Sequence, residues 1–284
     1  MTINNFNPTL WAKALLMNLN DAHVYVQGAN RDYEGEIRQA GDAVKINSIG
    51  RVTIGNYVKN VDIGSPETLD DSQMTMLIDQ QKFFNFQIDD IDKAQQVPKI
   101  MNEAMREAAW GLADSADVFM ATMLDANVDA ANILSAATAV GTDAGNDDAY
   151  EILVDLDTRL TTNNVPPQGR WVVVPPWFEG VLRKDPRFVS FGTSQNRRNL
   201  AGEPLRRISN LDVMVSNNVP VDGAASVIIA GYPGAVTYAD QIPPGDTEAY
   251  RPEQRFGDAM KGLHVYGGKV TRPHGLAKID ATPA

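Results

Sequence analysis

Residues 97–126, VPKIMNEAMREAAWGLADSADVFMATMLDA, carry the longest helical pattern in the chain and constrain its fold more than any other stretch. At about 1.5 Å of rise per residue, a helix over this span would be roughly 45 Å long, more than a compact domain usually needs. Val97, Met101, Ala104, Ala108, Leu112, Ser115 or Ala116, Phe119 and Met123 recur at steps of three and four and predict one narrow apolar face. Glu103, Arg106, Glu107, Asp114 and Asp117 point elsewhere, so the expectation is a long core helix with one wet side. Pro98 suits the first turn, where its missing N–H is harmless, and Gly111 is the one weak link.

The remaining chain is long enough to cover such a helix. Its 284 residues suffice for a sizeable core, in one large or two intimately joined domains. With 43% hydrophobic and 21% charged residues it reads as globular. The absence of cysteine excludes disulfides, thiolate nucleophiles and cysteine metal sites together. No run has the length of a membrane span, and LWAKALLMNL near the start lacks a basic lead and a small-residue cleavage site, which predicts a protein kept in a cytoplasm. A net charge of −11 argues against a surface built to grip nucleic acid.

In chain order, Asn7 and Pro8 open a short helix with Leu10, Trp11, Ala14, Leu15 and Leu19 on one side, an arm with an anchor. Residues 21–40 read as extended or irregular. From Asp42 the texture is β: Val44 and Ile46, then Val52, Ile54 and Val58, and from Ser72 a second set in which Met74, Met76 and Ile78 share a face. Between them VKNVDIGSPETLDD is too polar for a core and predicts the distal part of a long hairpin, which needs support from its own body or another subunit. Phe84, Phe86 and Ile88 continue with the same parity.

After the long helix, residues 127–146 predict a loop with at most a short helix. A helix follows over 147–162, capped by Asp147 or Asp148, then a buried strand from Trp171 to Val174 and a helix from Trp177 to Arg183. Residues 187–207 carry five basic side chains, Arg187, Arg197, Arg198, Arg206 and Arg207, and read as a loop. Strands at 211–215, 226–229 and 235–239 complete an α/β unit over about 147–245, and the tail returns to β character.

Catalytic chemistry is thin. His23, His264 and His274 are far apart and lack ligand companions at helical spacing, so no metal site is assigned. Gly231 to Gly234, GYPG, reads as a turn and not a phosphate loop. Asp89, Asp90 and Asp92 miss the calcium-loop glycine and glutamate, and serve as acids at the entry of the long helix. No catalytic, cofactor-binding or metal residues are nominated, and the chain does not read as an enzyme.

The order of its pieces is the informative signal. FNPTLWAKALL leading to NRDYEGEI, then GDAVKI and LIDQQKFFNFQIDDIDKAQ, then LDVMVSNNVP, IIAGYPGAVTYADQI and RFGDAMKGLHVYGGKVTRPHGLAKI, resembles the major capsid (coat) proteins of tailed bacteriophages, which share the Hong Kong 97-type shell fold. The resemblance implies an α+β fold with an N-terminal arm (1–41), an extended E-loop hairpin opening the P-domain (42–85), a P-domain with a long spine helix (86–146), an α/β A-domain (147–245) and P-domain C-terminal strands (246–284). It implies hexamers and pentamers of an icosahedral head enclosing double-stranded DNA, a portal protein at one vertex, a scaffolding or decoration protein in some systems, and no cofactor or membrane. The protein would reside in the virion after assembly in the host bacterial cytoplasm. An encapsulin-type nanocompartment shell is the alternative. Arg51 and Lys59 on the hairpin, with Trp11 and Leu15 on the arm, are the expected intersubunit contacts. Lys59 is also the candidate donor of the lysine–asparagine isopeptide that chains some shells, against the default of a solvated lysine.

Overall fold

The computed structural model describes residues 24–32, 43–49, 71–89, 100–134, 138–141, 147–185, 207–241, 248–253 and 256–284, with single positions at 54, 56, 59 and 60. The architecture is mixed α+β. Three strands come first, β1 (Ala43–Ile49), β2 (Asp71–Leu77) and β3 (Gln80–Asp89), followed by the long helix α1 (Ile100–Ala126). Next come β4 (Thr138–Val140), α2 (Ala149–Thr162), β5 (Arg170–Val174) and α3 (Pro176–Lys184). The remainder is β: β6 (Arg207–Ile208), β7 (Leu211–Val215), β8 (Val221–Asp222), β9 (Ala225–Gly231), β10 (Val236–Gln241), β11 (Glu248–Tyr250), β12 (Gly257–Val270) and β13 (Leu276–Pro283).

Two sheets carry the fold. In the larger, the order is β4-β13-β9-β5-β7-β6, with β8 also on β9. Alternation along β5 and β9 sends Val172, Val174, Ile228 and Ala230 to one face, where Leu153, Leu156 and Leu160 of α2 and Phe178 and Leu182 of α3 cover them. Trp171, Val173, Val227 and Ile229 face the other way, toward Ala116, Met120 and Leu124 of α1. Both faces are therefore dry, which is why RWVVV is buried throughout and reads as a continuous apolar run. Asp148 caps α2 by accepting from the Tyr150 N–H at 2.9 Å, and Pro176 occupies the first turn of α3.

In the smaller sheet β12 is central: β3 lies along one edge, and β10 and β11 share the other. One face carries Phe84, Phe86 and Met260 against Met105, Ala109, Leu112 and Ala113 of α1. The opposite face takes the root of the antiparallel pair β1–β2, where Ile46, Met76 and Ile78 pack on Ala239 and Val265. The two sheets exchange strands across residue 245. β10 precedes it yet pairs with β12, whereas β13 follows it and lies between β4 and β9.

Three expectations are corrected. The buried side of α1 runs through Met105, Ala109, Leu112, Ala116, Met120 and Leu124, while Ala104, Ala108, Phe119 and Met123 are only half-buried. Ala and Met on both sides of the stripe leave little apolar contrast, and two sheets press on the helix instead of one, so packing selects the face. Asp117, expected to point to solvent, is 2% exposed. Residues 127–146, read as a loop with at most a short helix, hold such a piece in the 3-10 turn at Ala130–Asn132 but also contribute a strand, β4, that was not expected.

Candidate intersubunit surfaces

On the face of the smaller sheet away from α1, the root of the β1–β2 pair covers only part of the width, and the remainder is open. Phe83 stands there 78% exposed, directly opposite the half-buried Leu263. The adjoining positions are polar and mutually tied: Lys261 reaches Glu248 at 2.9 Å, lies over the ring of Tyr250, and the Tyr250 hydroxyl donates to Asn85 Oδ1 at 3.1 Å. The hydrogen bond and charge of Glu248 raise the Lys261 pKa. Gly262 adds no side chain, and Phe83, Phe84, Asn85, Glu248, Lys261, Gly262 and Leu263 line a shallow cavity of about 370 Å³. An aromatic ring beside a cavity rimmed by a held ion pair has the composition of a contact surface, an apolar centre with a polar rim.

Further apolar side chains stand out elsewhere. Leu77 and Ile54 are exposed on the hairpin region, Ile54 at 96%; Trp110 and Val118 lie on the uncovered side of α1; Val221 sits at the β8–β9 turn, where Gly223 takes a positive φ of 62°. Phe256, before β12, is also exposed. Scattered singly, such residues are ordinary on a protein surface, and Phe83 is set apart by the cavity and polar rim beside it.

Of the expected contacts, Lys59 is exposed in a turn beside Asn60, which has a positive φ of 68°. Arg51, Trp11 and Leu15 lie outside the described residues, as do His23, Asp90, Asp92 and the basic stretch 187–206. The open sheet face was missed because Phe83 and Phe84 are equivalent by composition; alternation assigns them to opposite faces without saying which face is covered.

A second polar group sits in the seam between α1 and the two sheets. Residues 24–32 run through it, with Tyr25 and Val26 buried. The Asn30 N–H donates to the Val236 carbonyl at 2.8 Å, and the Tyr238 N–H donates to the Asn30 carbonyl at 2.9 Å. Asp117 of α1 accepts from the Val24 N–H at 2.6 Å and the Val26 N–H at 3.4 Å. Burial raises the Asp117 carboxyl to about 6 against the pull of these N–H groups, with Asp114 adding to the rise. Burial, and then the Asp117 charge, push the Tyr25 phenol well up as well. Beyond the Tyr238 ring, Asp240 lies 3.4 Å from Nε2 of the fully buried His264 and 3.8 Å from Arg31. His274 is exposed in the 3-10 turn after β12, where its carbonyl accepts from Asn132 and Asn163. Gly231 ends β9, and Pro233–Ala235 form a 3-10 turn in the GYPG stretch. Among the described residues no cluster of His, Asp or Glu has the arrangement of a metal site, and no helix is long and apolar enough to cross a membrane.

Comparison with known proteins gives a consistent result. No curated protein matches the sequence. A solved structure from Mycobacterium phage Che8 is 31% identical, with 90% of each chain covered and a TM-score of 0.73. The capsid of Ralstonia phage GP4 is 15% identical over 90% of this chain and 87% of that one, TM-score 0.69; the virus-like particle from Pyrococcus furiosus is 13% identical over 95% and 97%, TM-score 0.53. These last two share the fold. Residues 73–279 match the family described as phage capsid protein, a span that holds the smaller sheet, most of the larger one, the three described helices and the open face around Phe83. The chain belongs to the phage capsid protein family.

Proposed function

We propose that this chain is the major capsid protein of a tailed phage, a structural subunit that assembles with copies of itself into the hexamers and pentamers of an icosahedral head around double-stranded DNA. The observation that carries the reading is the family match over residues 73–279, joined to 31% identity with the Che8 structure over 90% of both chains. Family and neighbours are structural proteins, so no catalytic role is assigned. In the family's terms, α1 is the spine helix, β1–β2 the base of the E-loop, residues 1–41 the N-terminal arm and 147–245 the A-domain. The E-loop would rest on a neighbouring subunit, with Lys59 and Arg51 on it and Trp11 and Leu15 on the arm making intersubunit contacts. A portal protein at one vertex and a scaffolding or decoration protein are further partners, and assembly takes place in the host bacterial cytoplasm. The acidic composition suits a wall that must not trap the phosphates it encloses.

Electron microscopy of the expressed protein tests this. Closed shells of hexamers and pentamers are the expected result, alone or with neighbouring gene products, and a small soluble oligomer under all these conditions would overturn it. The encapsulin-type alternative predicts shells that capture a cargo protein and coexist with a cargo gene instead of portal and terminase genes.

A further inference from the structure

The seam occupied by residues 24–32 contains a buried carboxylate whose partners are unusual. Asp117 makes no ion pair among the described residues, and its hydrogen bonds are to backbone N–H groups of the segment itself. Its surroundings are otherwise anionic or phenolic: Asp114 one turn back on α1, Tyr25 from the segment, and Tyr238 from β10. Asp125, further along α1, acts on Tyr25, while Arg31, Asp240 and His264 lie beyond the Tyr238 ring. From the β7–β8 connection, the Asn218 amide donates to Asp114 at 2.7 Å. Lifting residues 24–32 away would remove the cover over Asp117 along with the N–H groups of Val24 and Val26. The carboxyl would return to water and to ordinary acidity.

We propose that residues 24–32 form a proton-coupled latch: their docking over α1 takes up a proton at Asp117, so the segment is held more firmly in mild acid than at neutral pH. The sign follows from linkage. The docked carboxyl titrates near 6 and the released one near its ordinary value, 3.8. Docking is therefore strongest below about pH 4, weakens as pH rises toward 6, and is level above that. The separation of the two values corresponds to roughly a 160-fold change in the docking constant at most. Because the segment continues directly into residues 1–23, the latch would govern how that part of the chain is presented to other subunits.

Hydrogen exchange on the full-chain subunit reads this directly. After correction for the intrinsic pH dependence of exchange, protection of the Val24 and Val26 amides should fall by tens-fold or more between pH 4 and 7, while Val172 and Ile229 stay protected. Asp117→Asn, which is neutral at every pH, should show flat protection. His23→Gln, which removes the imidazole next in the chain to Val24, should keep the parent's slope. Unchanged protection in the parent overturns the latch, as does a slope that survives in Asp117→Asn or vanishes in His23→Gln. If Asp117→Asn loses protection at Val172 and Ile229, so that the fold itself is damaged, the parent and His23→Gln profiles still decide.

Discussion

Gly28 lies against the indole of Trp171 so closely that a β-carbon at residue 28 would come within 2.6 Å of the ring. The ring is fixed, since Trp171 is buried in β5. Gly28→Ala should therefore destabilise the subunit by about 1–3 kcal/mol through overpacking, whereas the same change at Gly111, whose β-carbon would meet nothing, should be neutral or stabilising by up to about 1 kcal/mol. Paired thermal melts of the two variants check this.

Arg170 is the largest fully buried side chain among the described residues, and its guanidinium donates to the carboxylate and carbonyl of Asp157, to Thr161, and to the carbonyls of Val165 and Pro166. Asp157→Ala strands that charge in the core and should cost about 3–5 kcal/mol. Replacing both residues with apolar side chains of similar volume should restore much of the loss. Urea unfolding of single and double variants measures it, and a double variant as weak as Asp157→Ala would count against the argument.

Asp117 also sets a pH dependence of global stability. Its folded value, about 6, lies above the ordinary 3.8, so its contribution is fully present below about pH 4 and is lost as pH rises through 6. Chemical denaturation should show a loss on the order of 3 kcal/mol at most across that window attributable to this group, and Asp117→Asn should remove it.

Phe83 should matter to the shell and not to the fold. Because the ring is largely in water, Phe83→Asp is expected to change subunit stability by less than about 0.5 kcal/mol. At a contact repeated through a shell it should sharply raise the concentration needed for assembly. Light scattering during assembly, beside a melt of the free subunit, separates the two effects.

Charge reversal on the hairpin makes a parallel case. An exposed pair contributes about 0–1 kcal/mol, so Arg51→Glu with Lys59→Glu should leave unfolding of the free subunit nearly unchanged. Like charges meeting across an interface can cost several kcal/mol, so assembly should fail at low salt and recover in part at higher salt. Normal assembly of the double variant at low salt would contradict the proposed contact.

The parts legible in the sequence are those set by local pattern. Asp148, one of the two caps offered for its helix, marks the start through the N–H it satisfies, and the run from Trp171 to Val174 declares a strand dry on both faces. Met74, Met76 and Ile78 gave the inner side of the hairpin root by parity. Where the answer depends on what packs from elsewhere, pattern fails. Asp117 falls between Ala116 and Met120 on the buried side of α1, and only the distant N–H groups of Val24 and Val26 make a carboxylate tolerable there. The tail LAKIDAT alternates visibly, yet nothing local assigns its partners to β4 and β9. Part of the resemblance, FNPTLWAKALL, NRDYEGEI and GDAVKI, lies before residue 73, where the family match begins.

The placement of β13 bears on when a subunit becomes complete. Ribosomes deliver the chain from its N-terminus, so β4, β5, β7 and β9 all emerge while the strand that belongs between β4 and β9 is still unmade. Until it arrives, β9 has an unpaired edge, and Ile279 and Ala281 are missing from the layer beneath α2. Such late, long-range pairing is slow to form. The larger sheet is thus closed by the strand made after every other strand it contains, and a chain whose synthesis has not passed residue 283 lacks the pairing that joins β4 to β9.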